Sequence, residues 1–267
     1  MTVERAVPET PEWADLGAAH LARYLMAGEF VAGCRVLDVG SGAGYGAAVL
    51  RSAGAMFVQG VDADPAAVAA AARRFAAAGI AFTVDDCEEL RSVDAGWQVI
   101  TCFEVIEHLR RPESFLMRAA AQLTADGVLV VSTPDRAASP PFVDGRPRNR
   151  FHEHEWYRDD FCALLRRHFH EVEIRVQVES TALQCRVAAV QALREGLIVS
   201  NPLTVFPWRK WPFQRKADRA WTKLAGLAAP GLADFPIVPA PLASLYGAPR
   251  FTIGICRRPV LTAEATR

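Results

Sequence analysis

Two carboxylates and a histidine follow an apolar segment at close spacing. The segment Val99–Cys102 leads through Phe103 into Glu104, Glu107 and His108. Spacings of three and four residues predict that the three side chains lie on one side of a helical turn. Carboxylates and imidazoles bind divalent cations, and an imidazole is also a base near neutral pH. The sequence therefore predicts acid–base chemistry, a site for Mg²⁺ or another divalent cation, or both.

A second histidine-rich segment supplies further candidates. His152 and His154 precede Glu155, Trp156 and a predicted helix that begins at Tyr157. An alcohol hardly ionises at neutral pH, so its reaction needs a base, or a cation that lowers the pKa of the hydroxyl. We expect His152 to be the general base or a metal ligand beside Glu104, Glu107 and His108, with His154 as the alternative base.

A glycine-rich turn after the first predicted strand indicates a nucleoside-containing cofactor. The turn contains Gly40, Ser41 and Gly42, and Asp38 stands just before it. Glycines allow the backbone to approach a ligand, and the helix that follows presents unpaired N–H groups. An acid at this position favours a ligand that carries positive charge.

Acids after the next two predicted strands separate the cofactor classes. Asp62 lies roughly 20 residues past the glycines and is followed by Ala63. At this distance a carboxylate can accept hydrogen bonds from the ribose hydroxyls of NAD or S-adenosylmethionine. A third predicted strand ends before Asp86 and Cys87. A dinucleotide-binding protein has no standard use for an acid there, whereas an adenine amino group can bind one.

With these residues the chain resembles the class I S-adenosylmethionine-dependent methyltransferases over nearly its whole length. The resemblance implies S-adenosylmethionine as the cofactor and assigns the glycine turn to its methionine part. It further implies that Asp62 binds the ribose, that Asp86 and Cys87 bind the adenine, and that Phe103 and Glu104 line the pocket for cofactor and substrate.

The two histidine-containing segments resemble those of narrower groups. The pattern Glu104, Glu107, His108 is similar to that of ubiquinone-pathway O-methyltransferases and of small-RNA terminal 2′-O-methyltransferases, some of which bind a metal through it. The segment from His152 to Trp156 resembles one in sugar- and polysaccharide-directed methyltransferases. The resemblance implies an O-methyltransferase for a hydroxyl of a sugar, glycan, glycolipid or glycosylated natural product. An RNA 2′-O-methyltransferase and a non-catalytic cofactor-binding scaffold subunit are the alternatives.

The composition favours a small-molecule or glycan acceptor over nucleic acid. The 267 residues include 30 basic and 30 acidic side chains, so no net charge attracts a polyanion. With 51% hydrophobic residues the chain can form one large core. We see no apolar run of roughly 20 residues and no signal-like N-terminus, and we expect a cytoplasmic protein without a transmembrane segment.

The predicted fold is an α/β, Rossmann-like sheet of seven mostly parallel strands, with an antiparallel last strand and helices on both faces. We expect four regions: an N-terminal helical cap over 1–30, the methyltransferase core over 31–182, an insertion over 183–248, and the last strand with a tail over 249–267. Aromatic and basic residues alternate in the insertion at Trp208–Lys216. This pattern suits sugar stacking, an anionic lipid surface or single-stranded nucleic acid, and it equally suits a homodimer contact or a lid on the pocket. The Pro-rich segment 229–241 is expected to run extended over the surface.

Overall fold

Strands and helices alternate along most of the chain, as a mainly parallel sheet requires. The computed structural model describes residues 13–139, 142, 144, 147–184 and 231–260. Within these ranges eight strands form one sheet. They are β1 (Arg35–Val39), β2 (Phe57–Asp62), β3 (Ile80–Val84), β4 (Trp97–Phe103), β5 (Leu123–Pro134), β6 (Phe169–Ser180), β7 (Ile237–Pro239) and β8 (Gly247–Pro259).

The strand order explains where a site can form. It runs β3-β2-β1-β4-β5-β8-β6-β7, with parallel pairing from β3 to β5. β8 is antiparallel to both β5 and β6, which confirms the predicted direction of the last strand. The carboxyl ends of β1, β2, β4 and β5 therefore lie at one edge of the sheet, where open α/β folds bind ligands.

The eighth strand corrects the prediction of seven. The Pro-rich segment was expected to run extended over the surface, but part of it joins the sheet. Ile237–Pro239 pairs with Arg175–Gln177 of β6. Val238 is buried there against Val176 and Val178. The segment thus covers an otherwise unpaired sheet edge and removes an apolar side chain from water.

Helices cover both faces of the sheet, as predicted. They are α1 (Trp13–Ala27), α2 (Tyr45–Ser52), α3 (Pro65–Phe75), α4 (Pro112–Gln122), α5 (Arg158–Arg166) and α6 (Ala243–Tyr246). Strand side chains alternate between two apolar clusters: Val99 packs in the cluster that contains residues of α1 and α2, and Ile100 packs in the one that contains residues of α4 and α5. Successive side chains of a strand point to opposite faces of the sheet, so every second strand side chain lies on the face that α1 covers.

The pair Asp64 and Pro65 predicts a helix start, with an N-cap followed by the first helical residue, and α3 begins there, whereas its end differs from the prediction. Asp64 accepts a hydrogen bond from the backbone N–H of Ala66 at 2.8 Å, and Pro65 opens the helix. The alanine-rich sequence predicts a helix through Ala78, yet α3 ends at Phe75. The chain turns through Gly79, whose φ is 88°, to enter β3.

Several predicted features lie outside the described residues. These are the first residues of the N-terminal helix, the central part of the insertion over 185–230 with its aromatic and basic run, and the tail over 261–267. Among the helices that the structure describes, none combines the length and the apolar character needed to cross a membrane.

Candidate active site

The glycine turn after β1 has the shape of a ligand cradle. Gly40 and Gly42 have φ values of 70° and 50°, in the left-handed region that glycine tolerates. A Cβ on Gly40 would stand 2.2 Å from Val105, whereas one on Gly42 would meet nothing nearer than 3.9 Å. Ser41 Oγ is buried and has no hydrogen-bond partner among the described residues. The turn is thus packed behind Gly40, open at Gly42, and provided with a polar atom that a ligand can bind.

Asp38 lies beneath this turn in a buried hydrogen-bond network. Its carboxylate accepts from Thr101 Oγ at 2.8 Å and from the hydroxyl of Tyr24 at 3.2 Å. Burial raises the pKa of Asp38 to about 7, although both hydrogen bonds favour the ionised form. A cationic ligand near Asp38 would stabilise its charge. The sequence identified Asp38 but not its partners, because Tyr24 and Thr101 belong to α1 and β4.

Asp62 is positioned at the opposite side of the same turn. Its two carboxylate oxygens accept from the backbone N–H groups of Gly42 and Asp64, each at 2.9 Å. A carboxylate oxygen can accept more than one hydrogen bond, so the hydroxyls of a ribose are suitable donors to this side chain. The neighbouring Ala63 is exposed.

The residues after β3 divide into a structural acid and an exposed one. Asp85 is buried and accepts from the backbone N–H groups of Arg91 and Ser92, at 3.3 and 2.7 Å. Asp86 is exposed, and one of its oxygens accepts from the N–H of Glu88. Cys87 is buried, and burial raises the pKa of its thiol to about 12. Cys87 is therefore a neutral side chain near the predicted adenine position.

Aromatic side chains pack together where α1, the start of α2 and the end of β4 meet. Phe103, the last residue of β4, is buried and contacts Tyr24 edge to face, with ring centroids 5.0 Å apart. Tyr24 makes a similar contact with Tyr45, the first residue of α2. The N-terminal helix thus contributes directly to the site.

Glu104, Glu107 and His108 do not share one helical turn as predicted. Glu104 has a φ of 58°, which is uncommon for a residue with a side chain, and its carboxylate accepts from Ser132 Oγ at 3.0 Å. A short 3-10 helix follows over Ile106–His108. The left-handed residue therefore separates Glu104 from the next two groups.

Glu107 and His108 instead meet His152. One ligand atom from each of the three residues lies within 4.8 Å of the others, and Glu104 is outside this cluster. Glu107 is 1% exposed, and its Oε2 has no hydrogen-bond partner among the described residues. Burial and the nearby charge of Glu104 raise the pKa of Glu107 well above its usual value. Three of the four predicted metal ligands are thus brought together.

Hydrogen bonds fix how the two histidines face this cluster. His108 Nδ1 lies 2.8 Å from the carbonyl oxygen of Phe151, and His152 Nδ1 lies 3.1 Å from Glu155 Oε1. Both partners are acceptors, so each Nδ1 carries a proton and each neutral ring keeps its lone pair on Nε2. The Asn149 amide, which donates to His152 Nε2 at 2.9 Å, agrees with this tautomer. His108 Nε2 can therefore accept a proton or bind a cation, and His152 Nε2 can do so once the Asn149 amide moves away.

Glu155 is a site residue that the sequence shows only through its spacing from His152. Its side chain is 3% exposed, and Arg136 Nη1 lies 3.7 Å from its second oxygen. The backbone carbonyl of Glu107 accepts from the N–H groups of Glu153 and His154 and so attaches this loop to the end of β4. His154 is not in the cluster, because its ring stacks on Trp156 at 5.2 Å.

Comparisons with known proteins identify the family of this chain. Residues 11–185 match the methyltransferase domain family. A probable S-adenosylmethionine-dependent methyltransferase from Mycolicibacterium smegmatis is 31% identical over 242 residues, which are 90% of this chain and 88% of that protein. A ubiquinone biosynthesis O-methyltransferase from Azorhizobium caulinodans is 33% identical over 106 residues, or 39% of this chain and 42% of that protein.

A solved structure shares the fold at low identity. Phosphoethanolamine N-methyltransferase 2 from Haemonchus contortus, in complex with S-adenosyl-L-methionine, superposes with a TM-score of 0.56 and 15% identity. The match covers 94% of this chain and 58% of that one. An N-methyltransferase has this fold too, so the fold does not determine the acceptor atom. With the family match over 11–185, the chain belongs to the class I S-adenosylmethionine-dependent methyltransferases.

Proposed function

We propose that this methyltransferase acts on oxygen, and that its acceptor is a hydroxyl of a sugar, glycan, glycolipid or glycosylated natural product. The observation that carries the proposal is the pairing of His152 with the buried carboxylate of Glu155 beside the end of β4. A thiol or an amine needs little help to attack a methyl sulfonium, whereas an alcohol needs its proton removed. A histidine held by a carboxylate supplies that base.

The cofactor supplies a methyl group on a sulfonium, whose departure leaves a neutral thioether. In our proposal the turn at Gly40–Gly42, Asp62 and Asp86 hold the cofactor, while Asp38 favours its positive charge. The protein then has to align the hydroxyl with the methyl group and accept the proton at His152 Nε2. Glu155, 3.1 Å from Nδ1, stabilises the imidazolium that forms. The hydrogen bond from the Asn149 amide to Nε2 breaks when the acceptor hydroxyl binds there.

A divalent cation gives this proposal a second form. Glu107, His108 and the Nε2 atom of His152 would hold the ion, and the cation would lower the pKa of a bound hydroxyl. The two forms exclude each other at His152, because a lone pair that binds a metal cannot accept a proton. Two imidazoles and one carboxylate suit zinc or another transition metal better than Mg²⁺, which prefers oxygen ligands.

The sugar part of the proposal depends on the resemblance of the segment at 152–156. A phenolic hydroxyl is the second candidate acceptor, favoured by relatives named for ubiquinone biosynthesis at 32–35% identity. A phenol ionises more readily than a sugar hydroxyl and depends less on a base. The two candidates therefore differ in how strongly turnover should depend on His152.

Kinetics of three variants test the base. With an acceptor found by screening glycans and catechols, Glu155→Gln should lower kcat about 10- to 100-fold, the usual effect of removing the carboxylate behind a functional histidine. His152→Ala should lower it further. Glu153→Gln is the matched control, since Glu153 is exposed and two residues away. Full turnover by His152→Ala would refute the base, and dependence on added metal after chelation would favour the cation form.

A further inference from the structure

Arg23 is a buried cation that the methyl-transfer chemistry described so far does not use. It lies on α1 next to Tyr24, and its side chain is 0% exposed. Within the described residues no carboxylate forms an ion pair with it, and its Nε and Nη2 atoms have no hydrogen-bond partner. A buried guanidinium without an anion is costly, so the protein gains if a ligand supplies the anion.

The orientation of Arg23 is fixed by two residues of the sheet. Nη1 donates to Gln177 Oε1, and the amide of Gln177 in turn donates to the carbonyl of Ala19 at 3.0 Å. The guanidinium carbon lies 4.4 Å from the centroid of the Phe251 ring. The atoms left over, Nε and Nη2, form the edge of the guanidinium whose two N–H groups point in parallel. That edge matches the two oxygens of a carboxylate.

The strand register places Gln177 and Phe251, the two residues that hold Arg23, level with the end of β5. Gln177 pairs with Phe251, and Phe251 pairs with Pro134, the last residue of β5. The loop after β5 also carries Arg136, the partner of Glu155. The glycine turn follows β1, whereas Phe251 lies on β8. In the sheet, β4 and β5 lie between these two strands.

We propose that the Nε–Nη2 edge of Arg23 binds a carboxylate of the acceptor, so that the substrate is a hydroxyl-bearing acid such as a uronic acid unit. This inference rests on the proposed function, because it names the class of acceptor. Gln177 and Phe251 hold the guanidinium in position. The hydroxyl to be methylated then lies at a fixed distance from the carboxylate and reaches the His152 cluster.

The test measures binding and needs no turnover. Protein saturated with S-adenosylhomocysteine is titrated calorimetrically with D-glucuronate and with D-glucose as the neutral control. We expect glucuronate to bind in preference to glucose. Arg23→Gln should weaken glucuronate binding about 30-fold or more, as the loss of one partner of a buried charge pair does. Arg175→Gln is the matched control, because Arg175 lies on β6 but pairs with Glu29 and Glu173.

Three results would overturn the inference. The first is equal binding, or no binding, of glucuronate and glucose by the unaltered protein, a comparison that needs no folded variant. The second is unchanged glucuronate binding by Arg23→Gln. The third is weaker binding of S-adenosylhomocysteine by Arg23→Gln with unchanged binding of 5′-methylthioadenosine, which would assign the carboxylate to the cofactor. Glucuronate binding without methyl transfer would instead refute the sugar acceptor and leave the carboxylate site standing.

Discussion

The ribose assignment of Asp62 gives a prediction whose size follows from the structure. Asp62→Asn keeps the shape of the side chain but removes its charge and one acceptor oxygen. A hydrogen bond to a charged group contributes about 1.5–3 kcal/mol. Loss of one such bond to a ribose hydroxyl should therefore weaken binding of S-adenosylhomocysteine about 10- to 150-fold. Isothermal titration calorimetry measures this change directly.

Asp62 also supports the turn, and the control has to separate the two effects. Its oxygens accept from Gly42 N and Asp64 N, so the amide of Asp62→Asn leaves one of these donors without an acceptor, at about 1 kcal/mol of stability. Asp64→Asn is the matched control, since asparagine caps the start of α3 as well as aspartate does. An analogue without ribose hydroxyls should bind the protein and Asp62→Asn equally. Affinity of Asp62→Asn for S-adenosylhomocysteine within about threefold of the unaltered protein would refute the assignment.

Three further predictions concern stability and metal binding. The pKa of Asp38, about 7 in the folded protein, exceeds the value of about 3.9 in an unfolded chain. The free energy of unfolding should therefore fall by up to about 4 kcal/mol as pH rises from about 4 to 7. Urea unfolding should show a smaller fall for Asp38→Asn, and identical pH profiles of the two proteins would contradict this. A Cβ on Gly46 would lie 2.1 Å from the Tyr24 ring, so Gly46→Ala should destabilise by about 1–3 kcal/mol despite its better helix propensity, and a raised Tm would be the contrary result. If the cluster binds zinc, His108→Asn should abolish binding in calorimetry and Glu104→Gln should retain it, whereas the reverse pattern would reassign the ligands.

Local sequence patterns were sufficient to predict the strands and the glycine turn that form the proposed cofactor site. The strand–glycine–helix segment at Gly40–Gly42 and the acids within β1, at the end of β2 and after β3 depend on neighbours in the chain, and α3 begins at the predicted Asp64 and Pro65. The antiparallel β8 is also as predicted. These features follow from local backbone preferences and from alternation of apolar residues, which a sequence displays directly.

The parts that could not be predicted depend on contacts between distant segments. Tyr24 is 14 residues from Asp38, and Arg23 is 154 residues from Gln177, so neither pair has a sequence signature. The left-handed backbone at Glu104 breaks the helical spacing that was expected to place Glu104, Glu107 and His108 on one side of a turn. His154 was an alternative base, and its stacking on Trp156 keeps it outside the cluster of Glu107, His108 and His152. The additional strand β7 depends on an exposed edge of β6, which no local pattern reveals.

The central claim is that the methyl group is transferred to an oxygen atom and that this transfer requires the side chain of His152. The most direct measurement supplies S-adenosylmethionine with a deuterated methyl group and a uronic acid-containing glycan, and locates the label in the product by mass spectrometry and NMR. We predict a methyl ether on a hydroxyl of the glycan, formed by the unaltered protein and by Glu153→Gln but not by His152→Ala. Label on nitrogen, sulfur or carbon, or an ether formed equally well by His152→Ala, would contradict the account.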